Sequence, residues 1–224
     1  MSVELLILVD NSVANDTLRA EHGLSMLVSG RGRRVLFDAA ASAEALLANA
    51  DALGVDLSSL DAAVISHGHY DHTGGLEAVV RSRPGLDLYA HPRAFDSRWV
   101  DRPGKPLRDI ACPHPIERLS QAGAVFRPVA KARRLDDWLV VSGPIAGPEG
   151  GREAFLVGKA GEMVADGFED ELFLLVEGQR GWTVVCGCCH RGLRNTLRAA
   201  RSLAEGGALA ALAGGLHLRS ASPA

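Results

Sequence analysis

No stretch of this chain is apolar for long enough to cross a membrane. The N-terminal run LLILV is five residues long, against the ~20 that a helical span needs. It also lacks the basic region and cleavage site of a signal peptide, so it reads as a first strand and the chain is expected to be cytoplasmic. An excess of one charge is missing as well: 24 basic residues face 27 acidic ones, a formal net charge of -3. That balance speaks against nucleic acid or an anionic membrane surface as a partner and leaves a small-molecule substrate as the expected one. Cysteine is scarce, with four residues, three of them at Cys186, Cys188 and Cys189. Such spacing is neither a disulfide framework nor a four-thiolate zinc site, and reduced thiols are expected. No linker, internal repeat or low-complexity tract beyond alanine enrichment divides the chain, so residues 1–224 are read as one domain.

What is present alternates between strand-like and helix-like segments. VELLILV, LSMLVS and RRVLFD are short and apolar, and the turn GRG joins the last two into a hairpin. SAEALLANADALG follows as a helix, with Ser42 as N-cap candidate, apolar Leu46, Leu47 and Leu53, and Gly54 at its end. AAVIS and LDLYA read as strands on either side of a helix, GLEAVVRSR, that stops at Pro84. Residues 92–170 offer only two strand candidates, AVFRPV and DWLVV, and are expected to form excursions over the rim of a site. Beyond them come a second hairpin, ELFLLVE and WTVVCG, an amphipathic helix, GLRNTLRAARSLA, and a last strand in ALAALAGG with LHL behind it. Hairpins at both ends with helices between predict an α/β fold of two mixed sheets covered by helices.

The stretch ISHGHYDHTGG, residues 65–75, carries three of the chain's eight histidines beside an aspartate. It leaves a buried strand and enters a helix, the place where α/β folds open a crevice. His67 and His69 are two apart, which in an extended loop puts both rings on one side, able to share an ion. Asp71 and His72 follow where the chain turns and can face a neighbouring position, so that two adjacent ions would fit. Imidazoles with a carboxylate suit zinc, iron, manganese or nickel better than calcium or magnesium. Gly68, Gly74 and Gly75 allow the sharp bends this requires.

HGHYDH followed by TGG resembles the HxHxDH signature of the metallo-β-lactamase superfamily. The likeness extends to VDN at 9–11, EHGLS at 21–25, LFD at 36–38, HP at 91–92, DGFEDE at 166–171, GCCH at 187–190 and GGLHL at 214–218. These are similar to a branch that includes 7,8-dihydropterin-6-methyl-4-(β-D-ribofuranosyl)-aminobenzene-5′-phosphate synthase. The resemblance implies a four-layer α/β/β/α sandwich with one or two divalent ions per chain, zinc first among the candidates. It implies that His67, His69 and His190 hold the first ion, and that Asp71, His72 and His217 hold the second. Asp38 would support a metal-bound histidine, and Cys188 is a further candidate ligand. His22 and His91 are candidate substrate contacts, and Asp166, Asp170 and Glu171 candidate pocket residues.

Three departures accompany the likeness. DAAAS stands where the superfamily has DTG, CGCCH replaces TGCSH, and the chain stops before a further strand and a late histidine that relatives carry. The exposed edge this leaves at ALAALAGG predicts a homo-oligomer with a weaker second metal position. Three functions follow as expectations. The first is a hydrolase in which Asp71 orients a metal-activated water or takes its proton. The second is a dihydropterin-linked synthase forming a C–N bond, with Arg93, Arg98, Arg102 and Arg108 meeting phosphate. The third is a protein that binds a metal or small ligand without turnover.

Overall fold

Alternation along two strands sets the architecture. In Arg33–Phe37, Leu36 packs among Leu46, Leu76 and Val80, whereas Val35 and Phe37 join a different cluster with Trp138, Leu139 and Leu174. In Phe173–Gly178, Leu174 and Val176 belong to that second cluster, while Phe173 and Leu175 pack with Val184 and Ala200 in a third. Successive side chains leave a strand on opposite faces, so each of these strands seals two layers of core. The stack runs helix, sheet, sheet, helix. This computed structural model describes residues 2–148 and 154–217, and Leu218 of the GGLHL stretch lies outside the described residues.

The first sheet contains β1 (Val3–Val9), β2 (Ser25–Gly30), β3 (Arg33–Phe37), β4 (Ala62–Val64), β5 (Asp87–Ala90) and β8 (Val125–Pro128), in the order β1-β2-β3-β4-β5-β8. Its first three strands are the expected antiparallel meander, and β3, β4, β5 and β8 run parallel. Helices α1 (Ala43–Ala52), α3 (Leu76–Ser82) and α4 (Ile116–Ala122) supply residues of the outer cluster, and the one-turn helix α2 (Tyr70–Thr73) precedes α3. Ser42 caps α1 by accepting from Ala45 N at 3.1 Å, and Gly54 follows it with φ +66°. Leu47, one of the three apolar positions read for this helix, is exposed.

The second sheet has the order β15-β14-β13-β10-β9, built from β9 (Arg133–Asp136), β10 (Leu139–Val141), β13 (Phe173–Gly178), β14 (Gly181–Cys186) and β15 (Leu209–Gly214). Helix α5 (Leu193–Leu203) packs on its outer face through Ala200. β15 runs parallel to β14 and stands at the sheet's edge.

The described residues of the 92–170 stretch are more ordered than the sequence suggested. They build a third sheet, β12 (Glu162–Ala165), β11 (Phe155–Lys159), β6 (Arg98–Val100) and β7 (Arg108–Asp109), as well as β9 and α4. Two physical reasons hid it. β6 opens on a fully buried arginine, which breaks any apolar alternation, and it pairs with β11 more than fifty residues away. Among the described residues no helix is long and apolar enough to cross a membrane.

Candidate metal centre

The parallel strands of both sheets deliver their carboxyl ends to one place. β3 runs into Asp38, β4 continues through Ile65 and Ser66 into His67–His69, and α2 carries Asp71 and His72. From the second sheet, β14 continues into Gly187–His190 and β15 into Gly215–His217. Backbone hydrogen bonds lock these pieces together. Leu172 N donates to Ser66 O at 2.7 Å, and Gly215 N to Gly187 O at 2.8 Å. Gly187 is needed at this junction, because a Cβ there would lie 2.2 Å from Ser66 Oγ.

Four imidazoles converge in the crevice. The ring of His67 lies 4.5 Å from that of His69, 4.3 Å from His72 and 4.8 Å from His190, centroid to centroid. All four residues are buried. Ligand atoms fall into two compact groups, His67 with His69 and His190, and His67 with His72 and Cys188. Within each group these atoms lie within 4.8 Å of one another. Nε2 of His67 and Nε2 of His69 are buried and have no hydrogen-bond partner among the described residues. A buried polar atom left unpaired costs about 1–3 kcal/mol, and two such nitrogens on residues of one compact ligand group fit a cation bound between them.

Electrostatics agrees with that fit. Burial, reinforced by the neighbouring imidazoles, holds the pKa of His67 far below the ordinary range, and burial with Arg98 does the same to His69. Both rings are therefore neutral, as metal ligation demands. Burial also depresses His72, but Cys188, Asp38 and Asp71 outweigh it and hold its pKa well above the ordinary value. That corner of the site attracts positive charge.

Asp38 fixes the ring orientations. Its Oδ1 accepts from Ser66 N at 2.7 Å, and its Oδ2 accepts from Ser66 Oγ at 2.7 Å and from His72 Nδ1 at 2.6 Å. Because the Ser66 hydroxyl spends its proton on Asp38, it accepts one from His67 Nδ1, 2.9 Å away. One carboxylate thus orients both rings, with Nε2 of His67 and Nε2 of His72 turned away from it. Asp38 has φ +61°, and Ala40 takes φ +57° in the DAAAS turn where the superfamily pattern has glycine.

The other candidates are distributed unevenly. Asp71 Oδ2 lies 3.5 Å from His72 Nε2 and 3.5 Å from Nε2 of the exposed His22, which places His22 on the rim. His217 is exposed, with its ring 4.7 Å from that of His190, and stands outside both compact groups. His91 turns its Nδ1 to Arg93 N at 3.2 Å and caps a short 3₁₀ turn.

Several contributors have roles that the sequence did not assign to them. Ser66 is one, although its position directly before the first histidine is a legible signal. Arg98, named only as a candidate phosphate contact, is fully buried between Asp166 (2.9 Å) and Asp170 (2.8 Å), and Asp170 accepts from Gly68 N at 2.8 Å. The acidic stretch read as a candidate pocket feature is therefore internal scaffolding for the histidine loop. Gly68 is indispensable to it, since a Cβ would lie 1.9 Å from Ala94 O. Glu171 accepts from the backbone of both His190 and Arg191 at 2.6 Å, and burial lifts its pKa to about 7 against those hydrogen bonds. Phe168 stacks on His190 at 4.2 Å, and Phe155 lies over His69 at 5.5 Å, giving the site an apolar wall.

Comparison with known proteins points one way. A sequence model of the metallo-beta-lactamase superfamily matches residues 18–140. The chain is 28% identical over 215 residues to the 7,8-dihydropterin-6-methyl-4-(beta-D-ribofuranosyl)-aminobenzene-5'-phosphate synthase of Methanocaldococcus jannaschii, covering 91% of this chain and 73% of that protein. It is 30% identical over 214 residues to an uncharacterized protein of the same organism, covering 95% and 78% respectively. A solved structure described as a metal-dependent hydrolase of the beta-lactamase superfamily superimposes with a TM-score of 0.82 at 29% identity, covering 99% of this chain and 79% of that one.

Proposed function

The chain belongs to the metallo-beta-lactamase superfamily, and from that premise we propose that it is a metal-dependent enzyme that hydrolyses a small-molecule substrate. The observation that carries this reading is the pair of buried, unpartnered Nε2 atoms of His67 and His69, set beside His190 in one compact group. Three imidazoles leave a fourth position open, the composition of a catalytic zinc-type site rather than a structural one. A divalent ion held there would supply Lewis-acid activation of water, lowering its pKa towards about 7.

The chain's own groups do the rest. Asp71, 3.5 Å from the exposed His22, is an acceptor that would orient the water and take up its proton. Asp71 and His72, 3.5 Å apart, with His217 at the mouth, would hold a second ion. Phe155 and Phe168 keep bulk water from the back of the site, which strengthens every charge interaction inside it. Asp38 and Ser66 hold the rings in place while charge develops. The solved hydrolase of the superfamily that this chain resembles supports the same reaction class. Assay of zinc-, manganese- and iron-loaded protein against an ester, a thioester, a lactone, an amide and a phosphodiester tests the proposal. Turnover of one class is expected, and inertness across the whole panel would contradict it.

The likeness to the archaeal synthase favours a second reading, bond formation on a dihydropterin. Its phosphate would need free cations. Arg98 is committed to Asp166 and Asp170, and Arg93 pairs with Asp96 and Glu169. Arg108, stacked 5.0 Å from the Tyr70 ring, and Arg102 remain exposed. Fluorescence titration with a reduced pterin tests this reading, and absence of binding at high micromolar concentration removes it.

A further inference from the structure

The third sheet meets the metal centre through Phe155, and its register decides which other side chains face the same way. Phe155 pairs with Val100 and Val100 with Arg108, so these residues stand in one row across β11, β6 and β7. Paired residues of neighbouring strands project from the same face of a sheet. Phe155 identifies that face, since its ring lies 5.5 Å from that of His69 and 5.4 Å from that of His190. Arg108 is therefore turned to the histidine side, its Cα roughly 10 Å from that of Phe155 across two strand spacings. Asp109, next along β7, falls on the opposite face and accepts from Ala111 N at 2.9 Å.

On that side Arg108 meets Tyr70, the residue between His69 and Asp71. Its guanidinium lies 5.0 Å from the centre of the phenol ring and donates to Tyr70 Oη at 2.8 Å. Backbone bonds hold the two together, because Tyr70 N donates to Ile110 O at 2.9 Å and His69 bridges to Ala111. Arg108 is exposed and, among the described residues, pairs with no carboxylate, unlike Arg93 and Arg98. Tyr70 Oη accepts from Arg108 and so keeps its own hydrogen to donate. We propose that Arg108 and Tyr70 form an oxyanion-binding subsite, and that the substrate carries a carboxylate or phosphate group that reaches it while the reacting bond lies at the histidines. The inference rests on the metal-dependent reading above and narrows its substrate to small acidic molecules. A planar guanidinium meets two oxygens of such a group side by side, and the phenol donates a further hydrogen bond. Because Tyr70 belongs to the histidine loop itself, an anion held there is fixed in position relative to the reacting bond.

Thiols that anchor to a bound ion and differ only at their far end test this. Zinc-loaded protein is titrated calorimetrically with mercaptohexanol, mercaptohexanoate and mercaptohexyl phosphate, each with a terminal thiol. At least one anionic probe is expected to bind about tenfold more tightly than the alcohol, and the larger preference names the group. Arg108→Gln should remove most of that preference, and Arg108→Lys should keep part of it. Arg127→Gln, which alters an exposed arginine paired with Asp87 in the first sheet, should keep all of it. Anionic probes that bind no better than the alcohol, or a preference that survives Arg108→Gln intact, would overturn the subsite while leaving the metal reading standing. Protein that takes up no zinc, or takes it up and binds none of the three thiols, would overturn both.

Discussion

His72 Nδ1 donates to Asp38 Oδ2 across 2.6 Å, in a pair closed to solvent. Asp38 also holds Ser66, and through it His67, so this carboxylate underlies both compact ligand groups. Asp38→Asn keeps the shape but cannot accept from Ser66 N, Ser66 Oγ and His72 together. Metal affinity is expected to fall about 10–100-fold, measured by competition with a chromophoric chelator. Affinity equal to that of the unsubstituted protein would show that the rings are held by something else.

Arg98→Met tests the scaffold beneath the histidine loop. The substitution preserves most of the side-chain volume but leaves Asp166 and Asp170 buried without their cation. Breaking a buried ion pair from one side costs about 3–5 kcal/mol. Urea unfolding of the metal-free protein should register a loss of that order, and a loss below about 1 kcal/mol would mean that the carboxylates are neutralised in some other way.

Asp170 predicts a pH dependence of stability. Burial raises its pKa from 3.8 to about 6 despite Arg98 and the Gly68 N–H. The folded state therefore keeps this proton over a range where the unfolded state has lost it. The contribution of Asp170 to stability is most favourable below pH ~4 and declines as pH rises through ~6. Asp170→Asn removes that dependence, so the stability of the variant relative to the unsubstituted protein should improve between pH 4 and pH 7. A difference that stayed flat, or moved the other way, would contradict the assigned shift.

How much of this was legible in the sequence depended on how local each signal was. The meander, Ser42 as the cap of α1 and the alternation of β13 are written in neighbouring residues, and the two central sheets follow from them. The cluster of His67, His69, Asp71 and His72 was legible for the same reason, being one loop and one helical turn. The third sheet was not, because β6 and β11 meet only in the folded chain and β6 carries a buried charge. The acidic stretch 166–171 looks like a solvated turn until Arg98 is placed between two of its carboxylates. The sequence left His91 open for a related reason, since a histidine before Pro92 at a strand end can cap a turn as readily as face a crevice, and in the fold it caps the turn.

The central claim is that the converging histidines hold a divalent ion. Elemental analysis of protein equilibrated with zinc and then dialysed, set beside His67→Ala and His69→Ala, tests it most directly. At least one tightly held ion per chain is expected in the unsubstituted protein. Each variant should lose most of it while keeping the circular dichroism of the folded chain. An unsubstituted protein that retained no ion, or variants that retained as much as it does, would contradict the account.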